Sequence, residues 1–393
     1  MKIGYQGNWI GLERVIRRGA LAFVLAGSAI GCNDDEHQDD PREVSNEDTA
    51  LLGSELRTLA EQDLQEMQAL GMGITVQLAD GRLVEVAAGR IGPNATDPLY
   101  DVGATRQILG SVTKLYTATM IMQLVEEGSL SLDDTLEPWF SIPKADAITV
   151  RMLLSHTSGL RECLEALTQE ETAQPWTPMQ LLDKAVALGP WAEPGGNVAR
   201  YANTNFLVLA MLLEKLTGTS WEQNVHTRIT TPLGLVHTGS ATEPGGRGDL
   251  VEGWLHTEET GWTAALALTD PSVGWGYGAM AATNRELARF TKALFAGELF
   301  ESPSTLAQMR QFDAEIDPTL LSDGEPPYRV GLGMVRYEID DLQLEGHVGH
   351  VVGFNSATFH DPATGSLISV TSNDEDEVAG LTAVKVAQHL RSR

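Results

Sequence analysis

Apolar positions recur along the chain with two different periods. Over residues 53–69 they fall at Leu56, Leu59, Leu64 and Met67, which is helical spacing. Alternation over 73–89, broken at Asp80-Gly81, predicts two strands around a turn. Helical spacing dominates the middle, over 111–127, 149–155, 178–188 and 203–217. Strand patterns return at 329–337, 343–348, 354–360 and 366–372, and 377–391 closes the chain as an amphipathic helix. Strands at both ends with helices between them predict an α/β (α+β) unit. One antiparallel sheet would draw strands from both halves of the chain, flanked by the N- and C-terminal helices. A mainly helical region from about 112 to 275 would sit beside it, with a ligand cleft between the two parts.

Ahead of this unit the pattern changes. Arg14, Arg17 and Arg18 precede an uncharged run of 13 residues, Gly19–Gly31, short of the roughly 20 that a spanning helix needs. The run ends in Ala29-Ile30-Gly31-Cys32, which reads as a lipoprotein signal over 1–31 with lipid on Cys32. An ordinary secretory signal cut near Ala29 is the alternative. Residues 33–48 hold eight Asp or Glu against one Arg, so 32–52 is expected to be an acidic, disordered tether. The folded domain is then expected over 53–393. The location implied is an exported, lipid-anchored one on the bacterial cell envelope, with the membrane touched through that anchor alone.

Composition narrows the function classes. The chain has 393 residues, 42% of them hydrophobic, and a formal charge of −27. A core of ordinary size is available, but the charge would repel nucleic acid and anionic headgroups. There are two cysteines. With Cys32 lipidated, Cys163 stands alone, so neither a disulfide framework nor a structural zinc site can be built.

Three short patterns carry candidate chemistry. Ser111-Val112-Thr113-Lys114 places a nucleophile and an amine one helical turn apart, within mutual reach. Ser141-Ile142-Pro143-Lys144 matches too, but Pro143 spoils a helix there. Lys114 is the only charged residue between Val112 and Val125. Burial in such a helix would push its pKa down toward the range of a base at neutral pH, whereas snorkelling from the first turn would leave it ordinary. Tyr201-Ala202-Asn203 precedes an apolar helix, where Tyr can relay protons and Asn can hold a carbonyl. His347-Val348-Gly349 lies in a strand-like run, where Gly admits close backbone approach and a neighbouring N–H can meet an oxyanion. His237-Thr238-Gly239 repeats the pattern inside a turn-rich stretch and is set aside.

In this order, Ser/Lys, Tyr/Asn and His/Gly resemble the penicillin-recognising serine hydrolases. That family includes class C β-lactamases, secreted D-alanyl-D-alanine carboxypeptidases, and related esterases and D-amino-acid peptidases. The segments that carry the resemblance are 110–115, 148–160, 201–206 and 346–350, and it extends from about 53 to 390. It implies that Ser111 forms an acyl-enzyme, with Lys114 and Tyr201 sharing proton transfer. It implies that Asn203 binds the substrate amide, that His347 stands where class C enzymes have lysine, and that Gly349 borders the substrate. The oxyanion hole would be the N–H groups of Ser111 and His350. Trp275 lines the cleft or packs beside it. No metal or cofactor is implied.

The resemblance also exposes two departures. The carboxylate-gripping Arg and Thr of the secreted carboxypeptidases correspond here to Val335 and Val348, with Arg336 one residue out of place. The expected function is a serine hydrolase, D-alanyl-D-alanine carboxypeptidase-like or β-lactamase-related. Its substrate would be a small peptide or ester such as a peptidoglycan stem peptide, with an esterase or D-aminopeptidase of the same fold as the alternative. β-Lactams are expected as inhibitors. A catalytically silent sensor that binds penicillin or peptidoglycan is the alternative of another class.

Overall fold

The computed structural model describes residues 41–393 except 322–324 and 376–377. The signal segment and Cys32 lie outside the described residues. In chain order the strands are β1 (Gly71–Gln77), β2 (Leu83–Gly89), β3 (Arg106–Ile108), β4 (Val198–Ala199), β5 (Gly239–Ser240), β6 (Trp254–Thr257) and β7 (Gly261–Ala264). They continue as β8 (Met280–Thr283), β9 (Ala314–Ile316), β10 (Tyr328–Val330), β11 (Val335–Ile339), β12 (Leu342–Val351), β13 (Phe354–Asp361) and β14 (Ser366–Ser372). The helices that matter for the site are α1 (Pro41–Met67), α2 (Thr113–Glu126), α3 (Val150–Leu154), α4 (Pro178–Ala187), α5 (Asn203–Thr217), α6 (Asn284–Phe295) and α7 (Val378–Ser392).

Nine strands form one sheet in the order β2-β1-β14-β13-β12-β11-β10-β9-β4. Its ladders are antiparallel apart from the short β4–β9 pair. The first two strands thus pair with the last, so the chain ends close the sheet from both sides of the sequence, as the strand pattern predicts.

Alternation assigns each face of the sheet its own core. Met72, Ile74, Leu344, Phe359 and Val370 pack under α1 and α7 on one face. The other face carries polar groups that bind α6. Thr75 donates to the Asn284 amide oxygen at 2.6 Å, and Asn284 donates back to the Gly73 carbonyl at 3.0 Å. A second, larger core fills the helical region, where α2 and α5 cross with Leu115, Met122, Phe206 and Leu209 buried between their neighbours.

The structure departs from the sequence reading in three places. The first helix begins at Pro41, inside the stretch expected to be tether. Leu52 is 1% exposed and Leu56 fully buried against the sheet, while Asp48 pairs with Arg82 and Arg393. Those contacts recruit an acidic stretch that composition alone would leave solvated. Secondly, the run 329–337 is split into β10 and β11 by a turn at Gly331–Met334, where Gly333 has φ +81°. Thirdly, α6 is not predicted, although Leu287, Phe290 and Leu294 form one buried stripe on it. The stretch expected to be helical also contains the hairpin β6–β7 and the short strand β5, which joins β8 and β3, from the two flanks of that stretch, in a three-stranded sheet.

If α1 belongs to the folded unit from before residue 53, Leu52→Ala should cost about 2–4 kcal/mol through lost burial and a cavity. Guanidinium unfolding of the chain from residue 41 would measure it; a loss below about 0.5 kcal/mol would return Leu52 to the tether.

Candidate active site

A single 3₁₀ turn, Gly110–Val112, leads into α2 and carries Ser111 half-buried at its centre. Lys114 follows one turn later and is fully buried. Its Nζ lies 2.9 Å from Ser111 Oγ, 2.7 Å from Asn203 Oδ1 and 3.1 Å from the Tyr277 carbonyl. The rings of Tyr201, Phe206 and Tyr277 surround the same nitrogen at 4.9, 5.8 and 5.5 Å. Lys114 therefore does not snorkel. Burial lowers its pKa to about 7, with the Glu162 carboxylate pulling the other way. As a neutral amine it has two hydrogens and one lone pair. The hydrogens satisfy Asn203 and Tyr277, which leaves the lone pair for the Ser111 hydroxyl.

Tyr201 enters from the segment before α5 and stacks on His156, with centroids 4.4 Å apart at 22°. His156 is itself buried, and its Nδ1 meets the Ala202 amide at 3.2 Å and Asn205 Nδ2 at 3.0 Å. Burial pushes the Tyr201 phenol well up, and a hydrogen bond with Ser111 opposes that only in part. At neutral pH the phenol keeps its proton.

His347 completes the cluster from β12, its ring 6.1 Å from that of Tyr201. Burial, then the charge of Lys114, lowers its pKa to about 3. Its Nδ1 lies 2.5 Å from the Val348 carbonyl, which assigns the proton to Nδ1 and leaves Nε2 as an acceptor.

Two glycines set the approach of β12 to the nucleophile turn. Gly110 has φ +53°, and a Cβ there would stand 2.7 Å from the His350 amide nitrogen. A Cβ on Gly349 would come within 2.0 Å of the Leu109 carbonyl oxygen. The two backbones touch where side chains are absent, which brings the His350 N–H beside Ser111. The His350 imidazole turns aside to Glu375, at 3.3 Å. Among the described residues no group of three or more His, Cys, Asp or Glu is placed to hold a metal ion.

The profile of the beta-lactamase family matches residues 56–390. The chain belongs to that family. It is 33% identical over 167 residues to penicillin-binding protein 4 of Amycolatopsis lactamdurans, covering 40% of this chain and 41% of that one. It is 24% identical over 220 residues to the teichoic acid D-alanine hydrolase of Staphylococcus aureus, covering 54% and 52%. The chain thus spans about half the length of these curated relatives. Among solved structures, the D-amino acid amidase of Ochrobactrum anthropi SV3, complexed with L-phenylalanine amide, superposes with a TM-score of 0.77 at 22% identity, over 86% of this chain and 99% of that one. The fold is therefore the β-lactamase/transpeptidase-like one.

Against this beta-lactamase family frame, Ser111, Lys114, Tyr201, Asn203 and His347 converge on one cluster. Trp275 is the exception. Its indole is 7% exposed, packs on Trp221 and donates to Glu222 at 3.1 Å. It is a core residue, and its turn serves the site instead through the Tyr277 carbonyl. Gly349 acts through backbone contact rather than as a lining surface. The set-aside patterns stay apart, with Lys144 at φ +61° paired to Glu193 and Thr238 bonded to Glu286.

The carboxylate clamp is absent. Val335 and Val348 face the core beneath α1 and α7. Arg336 pairs in register with Glu345 and is held by it at 3.1 Å, together with Arg310 at 2.6 Å. Sequence reasoning gave no role to Glu162, His156 or Tyr277, although His156 lies in the 148–160 segment; Glu162 and Tyr277 touch the cluster from turns with no motif of their own.

Two outcomes follow from this geometry. Gly349→Ala should clash with the Leu109 carbonyl, lowering stability by about 2 kcal/mol or more and abolishing covalent labelling of Ser111. Calorimetry with a fluorescent penicillin checks both. Lys114→Met removes a buried amine whose folded pKa, about 7, lies below its ordinary 10.5. Below pH 7 the wild type bears the full cost of burying an ammonium, and that cost fades up to pH 10.5. The stability of wild type relative to Lys114→Met should therefore rise across that window; a flat difference in urea midpoints would contradict it.

Proposed function

We propose that this chain is a serine hydrolase that forms an acyl-enzyme on Ser111 and acts on D-aminoacyl esters or amides. The observation that carries the reading is the 2.9 Å contact between Ser111 Oγ and the fully buried Nζ of Lys114. Burial supplies a free amine at neutral pH where Tyr201 stays a phenol, so Lys114 is the base of acylation. It takes the Ser111 proton as Oγ attacks the carbonyl carbon. The oxyanion meets the N–H groups of Ser111 and His350. Tyr201, hydrogen-bonded to Ser111, then hands a proton to the leaving oxygen or nitrogen and recovers one from Lys114. Water repeats the sequence to release the acid.

The substrate class rests on what the cleft lacks. His347 is neutral where a lysine would present a cation, Arg336 is tied to Glu345, and Val335 and Val348 face the core. Among the described residues, the two valines offer a C-terminal carboxylate no charge and Arg336 is already bound to Glu345, which weighs against a carboxypeptidase. Two similar proteins, named a teichoic acid D-alanine hydrolase and a D-amino acid amidase, support the ester or amide reading. β-Lactams would acylate Ser111 as slow substrates. The lipid anchor at Cys32 and an envelope location are part of this proposal, on the sequence alone.

Purified protein should hydrolyse D-alanyl esters or D-amino-acid amides, with Ser111→Ala slower by about 10³-fold or more. The acid limb of kcat/KM should fall near pH 7, because protonating Lys114 removes the base. Ser111-dependent penicillin labelling without turnover of any ester, amide or peptide would favour a binding sensor, and preferential release of C-terminal D-alanine would restore the carboxypeptidase.

A further inference from the structure

Glu162 has no part in the motifs, yet its buried carboxylate is next to the catalytic cluster. Its Oε2 accepts the Asn203 backbone N–H at 2.6 Å, and Oε1 accepts Asn203 Nδ2 at 3.3 Å, Leu164 N–H at 3.0 Å and the Cys163 thiol at 3.4 Å. Four donors converge on it, which suits an acceptor-only carboxylate. Helix α5 starts at Asn203 behind Ala202, which has no capping side chain. A residue 41 positions earlier in the chain thus supplies the cap.

We propose that Glu162 is a positioning residue for acylation: it locks the Asn203 amide with Oδ1 toward Lys114 and places a compensating negative charge behind it. The assignment rests on the serine-hydrolase reading above. An Asn amide has two ends, and a flip would aim its NH₂ at the Lys114 ammonium. With Nδ2 and the backbone N–H of one residue both bound to Glu162, only one orientation satisfies every donor. Asn203 then bridges cation and anion, accepting from Lys114 at 2.7 Å and donating to Glu162.

The other groups around Lys114 supply no anion at neutral pH. From the 156–163 loop come His156 and Cys163, the first held neutral by burial and the second held as a thiol. Tyr201 from the segment before α5 keeps its proton, and His347 from β12 is neutral. The Gly274–Gly278 turn contributes a carbonyl, and the α2 entry contributes the Ser111 hydroxyl. Glu162 thus decides how far burial can lower the lysine.

The test titrates Lys114 directly, by NMR of [ε-¹³C]lysine-labelled protein, with its resonance identified by absence from Lys114→Ala. In Glu162→Gln the midpoint should fall by about one unit or more, and the acid limb of kcat/KM should move to lower pH with it. Glu162→Asp keeps the charge but cannot span both Asn203 donors. It should hold the midpoint within about half a unit while acylation slows about ten-fold or more. An unmoved midpoint in folded Glu162→Gln would overturn the electrostatic role. Should Glu162→Gln not fold, Glu162→Asp with full acylation rate would reduce Glu162 to a structural cap. The titration needs no turnover. A shifted midpoint in an inactive protein would sink the function and keep this assignment, whereas Ser111-dependent turnover with a fixed midpoint would do the reverse.

Discussion

Burying one amine governs the rest of this structure. Lys114 lies in the first turn of α2 and is fully buried among apolar neighbours, so its charged form is expensive. Three acceptors, three aromatic faces and one carboxylate are gathered from separate parts of the chain to make the site tolerable. The same burial that costs stability lowers the Lys114 pKa to about 7, which is what the proposed base role needs. Apolar packing of α2 against α5 and the Gly274–Gly278 turn is thus both a folding contribution and the source of the chemistry.

The second constraint is the contact between two backbones. Ser111 lies on the turn into α2, and the opposing donor lies on β12, a strand of the large sheet. Gly110 and Gly349 remove the side chains that would separate them. Helical region and sheet are joined there, so the proposed oxyanion hole would lie on the seam between two cores. The reactive geometry is therefore as rigid as the packing on either side.

Charge placement around the cleft bears on the proposed substrate class. The cations that could grip a carboxylate are spent on internal pairs, with Arg310 and Arg336 both on the buried Glu345. A buried carboxylate between two guanidiniums is costly to break, so Arg336 is not a free arm awaiting substrate.

Much of this was legible in the chain. Apolar period and apolar runs assigned β1, β2, β12 to β14, α2, α5 and α7, because each is buried, β2 at alternate positions and α2 and α5 nearly all round. Motif order picked out Ser111, Lys114, Tyr201 and His347, since nucleophile and base must share one helical turn. It did not see that α1 reaches back to Pro41, because an acidic stretch looks solvated until Arg82 and Arg393 meet it across the fold. It did not decide whether Trp275 lines the cleft, because an indole in a Gly-rich turn fits either place until Trp221 and Glu222 are seen around it. Glu162, His156 and Tyr277 act through backbone groups, stacking and a charge at long range, which leave no local pattern. Sequence determined which residues are candidates for the chemistry and their order along the chain; tertiary structure alone decided the lysine's burial, the amide's orientation and what Arg336 is bound to, because each depends on what distant segments bring within about 3 Å.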